Sequence, residues 1–145
     1  MIFGRQGLFL SIPGYADELS NLFKNTKPTK KRPFLVIDYD LENNEVIVVN
    51  VTTQGIKYKS KKSFARLSFS DDYIDIYPYD PPFSEYSYAK VNEVYAFEYF
   101  QELDAFLLAD GKLLDEHVFN HIVGNLKYKS KTSFRKEDLM ACNKL

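Results

Sequence analysis

Phe34-Leu35-Val36-Ile37-Asp38-Tyr39 is followed by Asp40-Leu41-Glu42-Asn43-Asn44 and then by Glu45-Val46-Ile47-Val48-Val49-Asn50-Val51-Thr52. The outer runs are apolar and β-branched, a composition that fits a pleated, buried surface. The middle run is rich in Asp and Asn, whose side chains bond their own backbone and tolerate turn conformations. The pattern predicts an antiparallel hairpin. Neither strand alternates polar with apolar residues, so both of its faces are expected to be covered, and the hairpin should form the middle of the fold.

Working outward, Gly7 to Ile12 reads as a strand stopped by the turn dipeptide Pro13-Gly14. Tyr15 to Lys24 has the spacing of a short amphipathic helix, with Tyr15, Leu19, Leu22 and Phe23 on one side. Asn25 to Pro33 is expected to be a basic surface loop, because Pro28 and Pro33 deny backbone donors to helix or ladder. Further strands are predicted at Phe64–Ser70, Tyr73–Tyr77 and Tyr86–Phe97, with Asp80-Pro81-Pro82 forcing a loop between the last two. Asp110-Gly111-Lys112 is a turn. Asp115 can cap a helix whose apolar stripe is Val118, Phe119, Ile122 and Val123 and whose stop is Gly124-Asn125. A last helix is expected at Glu137 to Cys142. Consecutive strands followed by helices imply a β-rich α+β protein, an antiparallel sheet curled into a small barrel with peripheral helices, and argue against a doubly wound parallel sheet.

The 145 residues fit one domain, 1–145, carrying a basic C-terminal extension at 127–145. The first residues include Arg5, Asp17 and Glu18 and lack a long apolar run, so neither signal peptide nor membrane span is expected, and the reading is cytoplasmic. The single cysteine, Cys142, cannot form an internal disulfide. Net charge is −1, but the positives are grouped: windows 24–32, 57–66 and 127–136 hold 15 of the 19 Lys and Arg. Acidic residues dominate from Asp71 to Asp104, so two faces of opposite sign are expected. Within the basic windows, Lys57-Tyr58-Lys59-Ser60-Lys61-Lys62-Ser63-Phe64 recurs as Lys127-Tyr128-Lys129-Ser130-Lys131-Thr132-Ser133-Phe134. The surroundings differ, so this is no domain duplication; the two copies are either solvated edges or phosphate-tracking surface with an aromatic ring for stacking.

His117 and His121, four apart on the expected helix, lack the Glu and third ligand of a zinc site, and no metal is expected there. No Gly-rich phosphate loop, nucleophile elbow or dinucleotide fingerprint is present. What remains is Arg32 entering the central hairpin and Thr52-Thr53-Gln54 leaving it. Arg32 and Thr52 are equally far from the turn, so hairpin pairing would bring them together at strand ends, where rigid elements position functional groups accurately.

The residues that carry this pairing also carry a likeness. Lys31-Arg32-Pro33-Phe34-Leu35-Val36-Ile37, followed by Val48-Val49-Asn50-Val51-Thr52-Thr53-Gln54 and a basic linker, resembles the MazF/PemK/Kid toxins. In that group an Arg-Pro opens an apolar strand, and a Thr followed by a polar pair closes the next. The likeness continues through Lys90-Val91-Asn92-Glu93-Val94, where the family commonly has an Asp-Gln pair, and through Gly111-Lys112-Leu113, covering roughly residues 7–126. This chain departs in its long first loop, its Pro-rich stretch at 78–83, Asn92-Glu93, and the basic tail after Leu126. The tail and its terminal helix are similar to the type III branch (ToxN/CptN-like), associated with phage defence, whose antitoxin is an RNA.

The resemblance implies an SH3-like barrel and a toxin that cleaves single-stranded RNA without metal or cofactor. Attack of a ribose 2′-hydroxyl on its own phosphate would leave a cyclic phosphate. It implies catalytic roles for Arg32, which suits the transition-state charge, and for Thr52 and Thr53 as positioned hydroxyls. Lys31, Gln54, Lys57, Tyr58 and Lys59 would contact RNA, the lysines holding flanking phosphates and Tyr58 stacking a base. No histidine or carboxylate stands out in the sequence as proton-transfer partner. The implied partners are the RNA substrate and a cognate antitoxin, RNA or a small protein, in a homo-oligomer or a toxin–antitoxin assembly. Two readings of other kinds stay open: a non-catalytic gyrase poison like CcdB on the same barrel, and an RNA-binding accessory module.

Overall fold

A computed structural model describes residues 1–13, 31–52, 73–76, 81–85, 87–127 and 131–145. The strands are β1 (Gly7–Leu10), β2 (Arg32–Asp40), β3 (Glu45–Thr52), β4 (Tyr73–Ile76), β5 (Ser87–Glu98) and β6 (Thr132–Phe134). The central hairpin forms as the sequence predicts, with β2 and β3 paired antiparallel from Asp40 opposite Glu45 to Phe34 opposite Asn50. Its turn is built by Asp40, whose carboxylate accepts from the Glu42 and Asn43 N–H groups and from Asn43 Nδ2. These bonds, the Asn43 side chain's first, hold the Asp40 carboxyl below the usual carboxylate value. Asn44 closes the turn in the left-handed region, at φ 52°.

The sheet order is β1-β2-β3-β5-β4, and β6 also pairs with β5. The long β5 thus shares one edge between two partners, with β4 along Ser87–Lys90 and β6 along Tyr95–Phe97. Among the described residues the ladder has two ends and does not close on itself. All pairings are antiparallel except β5 with β6. This parallel pair departs from the all-antiparallel expectation, and its cause is the crossover: a parallel return needs a long connection, which Tyr99–Lys131 supplies. Two irregularities bend the sheet, one in β2 at Ile37 and a larger one where Asn50 of β3 faces Lys90–Glu93 of β5.

Both faces of the sheet are covered. One carries Leu8, Leu10, Phe34, Val36, Val48 and Phe97 beneath Phe100, Leu103 and Leu139. The other carries Leu35, Val49, Val51, Ala89 and Ala96 beneath Phe83, Leu114 and Ile122. Helix α1 (Glu116–Gly124) supplies Ile122 and begins where expected, the Asp115 carboxylate accepting from the His117 and Val118 N–H groups. Helix α2 (Lys136–Cys142) supplies Leu139. Burial pushes the Cys142 thiol up, and Asp138 adds to this, so the thiolate is disfavoured. The 3₁₀ segment Gln101–Phe106 had no sequence signal, because so short a run shows no helical period.

Lys127 and residues 131–145 pair with and pack on the sheet. Lys127 N–H donates to the Val91 carbonyl at 2.9 Å, and β6 then runs beside Tyr95–Phe97. Lys131 meets Glu45 at 3.7 Å, and Glu98 accepts from the Lys136 N–H at the start of α2. The ends of the second basic repeat are therefore sheet edge. Asn143, just past α2, clamps the end of β1: it accepts from Ser11 N–H and donates to the Ser11 and Leu139 carbonyls. Asn143→Ala leaves these part-buried groups unsatisfied, and a loss of about 1–3 kcal/mol in urea denaturation is expected.

Pro33, expected in the loop, lies inside β2 opposite Phe9. The position suits proline because it is near the strand's start. The expected helix at Tyr15–Lys24, residues 25–30 of the basic loop and the strand at Phe64–Ser70 lie outside the described residues, while Arg32, like Pro33, lies in β2.

Candidate functional site

Arg32 opens β2 and Thr52 closes β3. Phe34 pairs with Asn50, so Arg32, two residues before one, and Thr52, two residues beyond the other, stand at the same end of adjacent strands. They also share a face. Leu10, opposite Arg32, and Phe34 belong to one apolar cluster, whereas Val49 and Val51, which flank Asn50, belong to the other. Period-two alternation then puts Arg32, Asn50 and Thr52 on the Phe34 side. Arg32 and Thr52 are half-buried, Asn50 is 1% exposed, and Arg32 Nε and Asn50 Nδ2 are shut off from solvent.

The ladder extends this face across two more strands. Thr52 is opposite Tyr88 of β5, and Tyr88 is opposite Asp75 of β4. Directly opposed residues project to one side of a sheet. On the reverse side the neighbouring row runs Val51, Ala89 and Ile74, which pack in the second cluster. Arg32, Thr52, Tyr88 and Asp75 therefore form a polar row over four adjacent strands. Tyr88 is 3% exposed, and its ring is braced edge-to-face by Tyr73, with centroids 6.4 Å apart at 83°. Thr52 and Asp75 flank it half-buried.

Of the residues singled out in the sequence, Arg32 and Thr52 are brought together. Lys31 is exposed, its ammonium 5.7 Å from the centroid of the Phe106 ring, a cation–π contact. Thr53, Gln54, Lys57, Tyr58 and Lys59 lie outside the described residues. His117 and His121 are exposed on α1, where Asn125 Nδ2 stands 3.3 Å from His121 Nδ1. Among the described residues no group of three His, Cys, Asp or Glu stands close enough to hold a metal ion. Nor is any described helix long and apolar enough to cross a membrane.

The sequence reading missed Asn50, Tyr88 and Asp75. A signal existed for two of them, since Asn50 and Asp75 interrupt otherwise apolar strands. Tyr88 gave none, because its face is set by the irregularity in β5.

The fold and the row together define a mixed α+β domain with a cationic, hydroxyl and carboxylate array at one end of its sheet. No protein-family model matches the chain, and no curated protein matches it.

Proposed function

We propose that this chain is the toxin of a toxin–antitoxin pair, a cytoplasmic endoribonuclease that cleaves single-stranded RNA by attack of a ribose 2′-hydroxyl. The observation that carries the reading is the juxtaposition of Arg32 and Thr52 on one face of adjacent strands. A guanidinium offers permanent charge and a planar fork of donors to the phosphoryl oxygens as negative charge gathers there. The hydroxyl beside it orients the same phosphate. Shielding from water strengthens such contacts, and Arg32 is half-buried. The two irregularities favour a sheet curled towards an SH3-like barrel, since bulges bend strands and increase their twist. Thr53 assists at the phosphate; Lys31, Gln54, Lys57, Tyr58 and Lys59 track the flanking nucleotides. An antitoxin, RNA or a small protein, occupies this same basic path.

The reaction takes no metal in this reading. Purified protein incubated with mixed-sequence RNA in EDTA is expected to yield defined fragments ending in cyclic phosphate. Intact RNA retained in a salt-sensitive complex would instead make the chain a binding module and overturn the nuclease.

A further inference from the structure

We propose that the groove at the turn end of the β2–β3 hairpin is a docking site for a basic segment of another protein, one that sets an aliphatic side chain beside lysine or arginine. The groove has a volume of about 460 Å³ and lies between the hairpin turn and the end of α1. Its floor belongs to the second apolar cluster, through buried Ile47 and the partly buried Ile37 and Leu126. Two more aliphatic side chains at its margin face water: Leu41 is 85% exposed and Val123 39%. Leu41 adds little to the fold from the tip of the turn. Adjoining apolar surface of this kind is what a partner covers.

Charge decides the kind of occupant. Among the described residues the carboxylates of Asp38, Asp40 and Glu42 line the groove against one ammonium, that of Lys131, which is matched by Glu45 at 3.7 Å. Such a rim repels phosphate, so nucleic acid does not suit it. The carboxylates are strung along the chain and do not converge; among the described residues no three His, Cys, Asp or Glu stand close enough to hold an ion. Asp38 is opposite Ile47, so it projects to the same face as that floor residue. Asp40 is engaged by the turn it builds, which leaves a partner's cations to Asp38 and Glu42, both exposed. An aliphatic anchor on the floor with flanking cations on the rim complements the groove in shape and in sign. The nine residues of β2 put roughly 26 Å between this groove and Arg32, so a docked partner leaves the Arg32–Thr52 end open. The docking surface stands whether or not the chain cleaves RNA.

The test selects a phage-displayed library of random short peptides against the full chain, then titrates the enriched peptide, synthesised with a fluorophore, by fluorescence polarisation. Enriched peptides are expected to place an aliphatic residue beside Lys or Arg. Asp38→Asn with Glu42→Gln, and separately Leu41→Ser, should each weaken binding by about fivefold or more, and added salt should weaken binding to the wild type. All three side chains are exposed, so the melting temperature should not move. Arg32→Ala should bind the peptide as the wild type does. A selection that yields no basic, aliphatic peptide, or a peptide whose affinity none of the groove variants lowers, overturns the proposal. Spermidine that displaces the peptide at equal concentration also overturns it, by making the groove a site for small cations.

Discussion

Arg32→Ala is expected to lower RNA cleavage by about 10²–10³-fold, the cost of removing one donor aimed at developing negative charge. The fold should survive. Arg32 is the first residue of β2 and belongs to neither apolar cluster, so truncating it opens no hole in the core. Thermal unfolding should match the wild type. Arg32→Lys separates charge from geometry: lysine keeps the cation but loses the planar fork, so it should recover only part of the rate. Full activity in Arg32→Ala would remove the central support of the proposed function.

Phe34→Ala should do the reverse and act on the fold before the chemistry. Phe34 is fully buried and meets Tyr95 and Phe97 edge-to-face, with centroids 6.0 and 5.3 Å away. Such pairs add to the burial of the ring itself. Emptying the position costs about 3–5 kcal/mol, transfer and cavity together. In a domain of this size the melting temperature should fall by on the order of 10 °C. Differential scanning calorimetry on the two variants distinguishes a residue of the site from the residue beneath it. An unchanged melting temperature for Phe34→Ala would contradict the close packing seen around its ring.

The contrast between these two residues shows what was legible in the sequence. The hairpin was, because apolar β-branched runs on either side of an Asp/Asn turn leave little freedom of pairing, and its symmetry about the turn located Arg32 beside Thr52. The Asp115 cap and the stripe of α1 were legible for the same reason: local chemistry decides them. The strand order was not. Nothing local says that β5 inserts between β3 and β4, so Asp75 could be read as a strand residue but not as a neighbour of the site. The second basic repeat was legible only in part. Its charges fit a solvated edge or a phosphate surface, and the backbone of Lys127 and of Thr132–Phe134 bonds to β5, hydrogen bonding of a kind that leaves no mark on side-chain composition.

Tyr88 was hidden by the irregularity opposite Asn50. Val49 faces Val94, but Val51 faces Ala89, so two steps along β3 correspond to five along β5. An odd offset exchanges the two faces of a strand. Read as one unbroken strand, β5 would send Tyr88 to the opposite side from Tyr95 and Phe97; with the offset it shares theirs.

The stretch Lys90–Glu93 consequently works as a spacer whose length decides which face Tyr88 takes. Exposed Asn92 can be exchanged so long as the number of residues is kept, whereas Val91 is fully buried in the second apolar cluster. Deleting or inserting a single one would reverse the parity of everything on its β4-paired side, carrying Tyr88 away from Thr52 while Tyr95, Ala96 and Phe97 stayed seated. For this part of the chain the protein engineer faces one asymmetry: a substitution at Asn92 is cheap, and a change in length disassembles the row.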